Sequence, residues 1–353
     1  MFSTWKHSPA CIVFLLLTLF GALPQAHAIH FDGLAINAAG DTVAVGGDNR
    51  CIMLLDADTL AVKNRIWNGA EIKKLGFSAD GSKLAIFEGG RRIRLLNLTD
   101  GSFSKPMEDV ERAVFAENRE TLAVVVRQRG GYELLLLKTS DLKQISAITP
   151  PDNFRIDGIG LNFDATRLAV FSEPRENDEE RVSAGEIPGN LSSFAKDVFK
   201  ENHDGRGCRI LLYDTKSGDT LSDHALPWVC KHDQTRVLIQ DDTLHCVTYS
   251  DLNATIKTAD GSVDYFEMNR FGYGLGVSSK ANLLISGGLR TGNILNLATN
   301  QTHAFEIEAL PGWPEYFANF AVSDDGVIYG STSAFRVVKM NATGKILAVA
   351  PVF

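Results

Sequence analysis

Cysteine is scarce in this chain, with five in 353 residues, and none stands in a Cys-x-x-Cys pair. The usual zinc-finger, c-type haem and thioredoxin-like signatures are therefore missing. Neither a Gly-x-Ser-x-Gly nucleophile elbow nor a Gly-rich P-loop occurs. Beyond residue 28 the histidines (His30, His203, His224, His232, His245 and His303) stand singly, without the i/i+2 or i/i+4 spacing of metal ligands. No metal and no cofactor is expected from such a pattern. Positive charge is also short. Lys and Arg number 35 against 43 Asp and Glu, a net charge of -8. That balance disfavours nucleic acid and anionic membranes, both of which reward basic patches. No apolar run after residue 28 is long enough to span a bilayer, so no stable membrane insertion is expected.

What is present begins with a segment unlike the rest. Lys6 supplies a positive charge, residues 11–23 form an apolar run, and Ala26-His27-Ala28 offers a small-x-small cleavage pattern. These are the three parts of a signal peptide, here of bacterial type, covering 1–28 with cleavage after Ala28. The mature domain is then 29–353, periplasmic or secreted. Export places Cys51, Cys208, Cys230 and Cys246 in an oxidising compartment. Asn-x-Ser/Thr sequons at Asn97, Asn190, Asn253, Asn300 and Asn341 matter only where the host glycosylates exported chains.

The mature chain repeats itself. Ile36, Gly40, Val43, Ala44, Ile52, Leu54, Leu55 and Asp56 recur 41 residues later as Phe77, Gly81, Leu84, Ala85, Ile93, Leu95, Leu96 and Asn97. Each copy reads as short strands with apolar alternation, separated by Gly-containing turns. An apolar pair spaced by seven residues tracks the copies: Ile36/Val43, Phe77/Leu84, Phe115/Leu122, Leu161/Leu168, Val237/Leu244, Val277/Leu284 and Phe320/Val327. The steps are 41, 38, 46, 76, 40 and 43 residues. Five suit four-stranded propeller blades, and the long one reports an insertion. The expected fold is all-β: a seven-bladed β-propeller of four-stranded antiparallel blades, with one loop and short-helix insertion (172–207) in blade four. The last copy owns its outer strand, so the ring is expected to close by packing rather than by a strand swapped between the termini.

These repeats resemble the blades of WD-repeat and YVTN-type propellers, the group that includes the quinoprotein-dehydrogenase-like propellers. The residues that carry the likeness are Phe77-Ser-Ala-Asp-Gly-Ser-Lys-Leu-Ala85, Val322-Ser-Asp-Asp-Gly-Val-Ile-Tyr329, and the strand endings Leu54-Leu-Asp56, Leu95-Leu-Asn97 and Leu212-Tyr-Asp214. The likeness covers 29–353 and implies a fold, with little chemistry attached. The Gly-His and Trp-Asp dipeptides are missing from every blade, so the His–Asp framework of WD-repeat proteins is not implied.

Three features could carry function. The insertion is charged at 176–181 and then amphipathic, with Phe194, Val198 and Phe199 on one helical face behind an Asn190 or Ser192 cap. It should emerge beside the blade-to-blade connections; it is either a binding loop or a tolerated surface loop. Aromatics gather at those connections: Trp67, Phe154, Trp228, Phe271, Tyr273, Trp313 and Tyr316. They either form an apolar mouth for a partner or wedge between blades as core. Cys208 opens the third strand of blade four and Cys230 follows the fourth, which makes them the disulfide candidate, while Cys51 and Cys246 are expected as free thiols.

The reading these features favour is a monomeric, non-enzymatic propeller binding a protein or peptide through its insertion-bearing face. The alternative is a propeller enzyme of lactonase, lyase or quinoprotein type, an expectation by fold analogy. It requires several of His203, His224, His232, His245, Asp157, Asp233 and Glu315 to converge at the channel mouth.

Overall fold

The computed structural model describes residues 31–151, 154–174, 189, 192–193, 196–197, 208–226, 235–248, 253–268, 273–312 and 314–352. Seven antiparallel sheets follow one another along the chain, with strands in sequential order inside each. The blades span 33–67, 72–107, 110–148, 154–226, 236–266, 274–306 and 317–351. Six have four strands, and blade two has three. Its fourth position is taken by the stretch 103–107, through isolated bridges from Phe103 to Leu96 and from Met107 to Ile93. Pro106 lies between those bridges and has no N–H to give, so a continuous ladder cannot form there.

Hydrophobic side chains explain why the sheets stand face to face in a ring. Neighbouring residues of a strand point to opposite faces. In blade one, Ile36, Val43 and Val45 pack against blade seven, while Ala35, Ala44 and Ile52 pack against blade two. Buried on both faces, the inner strands read as continuous apolar runs. Seven core clusters result, and each lies between two consecutive blades. The ring closes where blade seven meets blade one. Phe31 meets Phe335 edge-on at 4.8 Å. Tyr329 Oη donates to the Ala57 carbonyl at 3.1 Å, and Ser331 Oγ donates to the Phe31 carbonyl at 2.7 Å. Blade seven keeps its own fourth strand (Ile346–Pro351), so no strand is swapped among the described residues.

The recurring turn after the first strand has a simple chemistry. Asn37, Ser78, Asn162 and Ser323 each turn a side-chain oxygen onto an N–H at the start of the return strand or one residue before it: Thr42 at 3.1 Å, Lys83 at 3.0 Å, Arg167 at 2.9 Å and Val327 at 2.9 Å. Such side-chain caps on a turn are what Asn and Ser do best. Gly81 and Gly326 sit inside these turns at φ 69 and 83, where an L side chain is strained.

Five of the seven tracking pairs are register partners: Ile36 with Val43, Phe77 with Leu84, Phe115 with Leu122, Leu161 with Leu168, and Val277 with Leu284. Two are not. In blade five Leu244 faces Ile239, and Val237 faces Cys246, because the two-residue turn at Asp241-Asp242 is shorter than the others. In blade seven Val322 faces Ile328, so the Phe320/Val327 pairing is displaced.

Candidate functional site

Each first strand runs along the central channel from one end of the ring to the other. Connections between blades and the turns from second to third strand share one end. The turns from first to second and from third to fourth strand share the opposite end. In blade four, the second strand ends at Pro174 and the third starts at Cys208, and the two pair directly from Arg167–Asp214 to Ser172–Arg209. Chain 175–207 therefore leaves and returns at the connection end, starting three residues later than the sequence suggested. Ser193, Lys196 and Asp197 are helical, and the Lys196 N–H donates to the Ser192 carbonyl at 3.0 Å, as the Ser192 cap requires. The Ser192 N–H also donates to Glu267 Oε1 of blade five at 2.6 Å, which ties the insertion to its neighbour.

At this same end the channel widens into a cavity of about 680 Å³. Its depth is basic. Lys74 of blade two, Arg112 of blade three and Arg236 of blade five converge there. Lys74 Nζ donates to the Ala113 carbonyl at 2.7 Å, and Arg112 Nε donates to the Ile156 carbonyl at 3.0 Å. Lys74 is enclosed by the ring. That desolvation, with Arg236 and Arg112 repelling its charge, drives its pKa well below the usual lysine value. Desolvation also lowers the pKa of Arg236, against the attraction of Asp32, but a guanidinium stays charged. Asp157 lies 3.9 Å from Arg112.

The rim of the cavity is a belt of ion pairs. Lys73 meets Asp32 at 3.3 Å and also meets Glu71, Arg91 meets Glu111 at 3.0 Å, and Arg94 meets the fully buried Glu88 at 3.0 Å. Burial alone would lower the Lys73 pKa, but Glu71 and Asp32 outweigh it and raise it. Asp32, Asp48 and Glu71 bring carboxylate oxygens within 4.8 Å of one another. The Lys73 ammonium already bridges two of them.

Side-chain struts cross the opposite end of the channel. Glu117 of blade three accepts from the Ser279 N–H and hydroxyl of blade six, each at 2.7 Å. Arg119 donates to Asp324 of blade seven at 2.8 Å and to the Ile36 carbonyl of blade one at 3.2 Å. A space of about 150 Å³ remains there. The large cavity lies at the insertion-bearing end.

The residues nominated from sequence divide into three groups. Tyr273 and Tyr316 come together, ring centroids 4.9 Å apart, and both line the pocket. Trp67 ends the fourth strand of blade one with 68% of its surface exposed, so it stands at the same end without lining the pocket. None of these three wedges between blades. Phe154 starts blade four, paired with Pro174. Phe194, Phe199, Trp228, Phe271, Trp313 and Cys230 lie outside the described residues, and with Cys230 so does the proposed disulfide. Cys208 faces Leu226 across the ladder, four residues short of Cys230. Cys51 is a half-buried free thiol whose pKa is raised by burial, and Cys246 is buried between blades four and five.

The residues that an enzymatic site would need do not meet among the described residues. His224 Nε2 contacts the Thr258 carbonyl at 2.8 Å on the outer strand of blade four. His245 Nδ1 contacts Thr255 Oγ1 at 3.1 Å inside blade five, and burial lowers its pKa. Glu315, fully buried, is held by Arg336. His203, His232 and Asp233 lie outside the described residues.

Sequence reasoning missed the three cations at the pocket's depth. Each sits three residues before the inward register residue of its first strand: Lys74 before Phe77, Arg112 before Phe115, Arg236 before Ile239. Gly33, Gly158, Gly274 and Asn319 hold that position in the other blades. The signal was a shared repeat position, hidden in blade five by the displaced register.

Sheet order, blade number and closure define a WD-repeat-like seven-bladed β-propeller. Among solved structures, the β-propeller domain of Cps50 (Swd1) from Myceliophteria thermophila is similar, with a TM-score of 0.57 at 12% identity over 85% of this chain and 92% of that one. At that identity the likeness is one of fold. No family model and no curated protein matches the chain.

Proposed function

We propose that this chain is an exported, non-enzymatic propeller that binds a protein or peptide through its insertion-bearing end. One observation carries the reading: the long excursion between Pro174 and Cys208 leaves and returns at the end where the channel widens into its larger cavity, while struts cross the far end. Tyr273, Tyr316 and Trp67 present aromatic surface at that end, the side-chain type that anchors partners most often. A solved relative in fold supplies the scaffold and says nothing of the partner. The signal-like segment 1–28 supports export to a periplasm or beyond, and fractionation of cells expressing the full chain should recover a product beginning at Ile29.

The test of binding is cross-linking in cells that express the intact chain, a variant with 176–206 replaced by a short turn, and a Tyr273→Ser/Tyr316→Ser variant. Loss of the same cross-linked partner in both variants supports the reading. Undiminished recovery by the shortened chain overturns it.

A further inference from the structure

We propose that Lys74 captures a small aromatic aldehyde in the channel pocket as an imine, independently of the protein or peptide partner. A bulge in the first strand of blade two sets the geometry. Ile72 faces Glu88 and Lys74 faces Phe87, so Lys73 is an extra residue without a register partner. Bulges re-aim the side chains beside them, and this one separates two consecutive lysines. Lys73 Nζ reaches the rim carboxylates of Asp32, at 3.3 Å, and Glu71. Lys74 Nζ donates instead to the Ala113 carbonyl of blade three at 2.7 Å. A matching bulge at Glu111 of blade three sets Arg112 in the equivalent position. Lys74 is half-buried rather than sealed, and it lines the cavity.

An amine attacks a carbonyl carbon in its neutral form, and proteins favour that form by enclosing a lysine beside other cations. The pocket meets both conditions. The hydrogen-bond acceptor of Lys74 is a neutral carbonyl, and the charges that act on its amine are Arg236 and Arg112. The pocket's carboxylates, Asp32, Glu88, Glu111 and Asp157, meet Lys73, Arg94, Arg91 and Arg112. A volume of about 680 Å³ suits a small molecule. Phe87, Ile159 and Leu275 give the pocket apolar wall, and Tyr273 and Tyr316 add a ring pair 4.9 Å apart. Such walls pack well against a flat aromatic ring. In the reaction the Lys74 nitrogen bonds to the aldehyde carbon. Both amine protons pass to the carbonyl oxygen, which leaves as water, so neither oxidant nor reductant is consumed.

The test is reductive trapping. The mature chain is mixed with salicylaldehyde near pH 7, and borohydride then adds hydride to any imine, leaving a secondary amine of fixed mass. Peptide mapping by mass spectrometry gives the labelling rate of each lysine. Each unit by which an amine's pKa falls raises its neutral fraction near pH 7 about tenfold. Lys74 is therefore expected to label at least about tenfold faster than the exposed Lys143 and Lys216, and to keep labelling at lower pH. Intact mass should show a single fast adduct in the parent and none in Lys74→Met. Propanal, which lacks a ring, should favour Lys74 over the exposed lysines less strongly than salicylaldehyde does. Labelling of Lys74 no faster than that of Lys143 and Lys216, or an undiminished fast adduct in Lys74→Met, overturns the proposal. An equal preference with propanal overturns the aromatic class of the ligand. None of these results depends on whether a protein partner is captured.

Discussion

Glu117 and Ser279 meet across the central channel, the carboxylate accepting from both the Ser279 amide and its hydroxyl at 2.7 Å. They belong to blades three and six, on opposite sides of the ring, and Ser278 Oγ adds a third donor at 3.2 Å. A propeller needs contacts only between neighbouring blades to stand. A strut across the axis does something else: it fixes the channel's width at one end.

Replacing Glu117 by Ala removes the acceptor of all three bonds. Charged hydrogen bonds of this kind are worth roughly 1.5–3 kcal/mol together with the donors they leave behind. Glu117→Ala should lower the midpoint of chemical denaturation by a corresponding amount. It should also speed hydrogen exchange at Ser279 and its neighbours while the outer strands stay protected. Uniform exchange across the ring would show that the strut does not act locally.

Lys74 gives a pH dependence of known sign. Its folded pKa is lowered, so the unfolded chain binds the extra proton between the folded value and the free-lysine value of about 10.4. Stability contributed at this site therefore rises with pH through that window, and the burden of the charged amine is greatest below it. Lys74→Met should be more stable than the parent at neutral pH in an anion-free buffer, with the gain shrinking as pH approaches 10. Denaturation midpoints of the two proteins across that range are the measurement. A parallel offset at every pH would sink the assignment.

Much of this was legible in the sequence, and the parts that were not have physical causes. The pairing of Ile36 with Val43 could be read because both faces of an inner strand are buried, so apolar residues recur at fixed offsets. Blade five misled because a turn shortened at Asp241-Asp242 moves the partner of Leu244 from Val237 to Ile239. Blade two was read as four full strands, although Pro106 interrupts the fourth. The aromatics of the connections were found because large side chains stand out. The cations were missed because a single Lys or Arg on a strand reads as solvated surface until the ring turns it inward.

Closure of the ring rests on a few bonds between blades seven and one. Tyr329 is buried, and its hydroxyl reaches back to the Ala57 carbonyl at 3.1 Å. Tyr329→Phe keeps the packing and removes only that donor, for a loss of about 0.5–1.5 kcal/mol. Ser331→Ala, which loses the bond to Phe31, should cost a similar amount. If closure is cooperative, each single variant already weakens the other bond, and the double variant loses less than the two single losses combined. Urea titrations of the four proteins decide this, and strict additivity would mean that the two bonds act independently.

The buried Glu315–Arg336 pair separates a structural carboxylate from a catalytic one. Glu315 is fully buried, and Arg336 holds it through Nε at 2.8 Å and again through Nη2, which also donates to the Glu308 carbonyl at 2.9 Å. Nε and Nη2 are thus committed to holding the segment before blade seven against its third strand. Arg336→Met leaves the buried carboxylate without its cation, a change that typically costs roughly 3–5 kcal/mol. Adding Glu315→Gln to Arg336→Met removes the stranded charge and should restore part of that loss, since an amide costs less to bury than a carboxylate. The readout is the denaturation midpoint of each single variant and of the double. Partial rescue by the double variant identifies the pair as structural. A double variant no more stable than Arg336→Met would show that the cation acts through the Glu308 carbonyl instead.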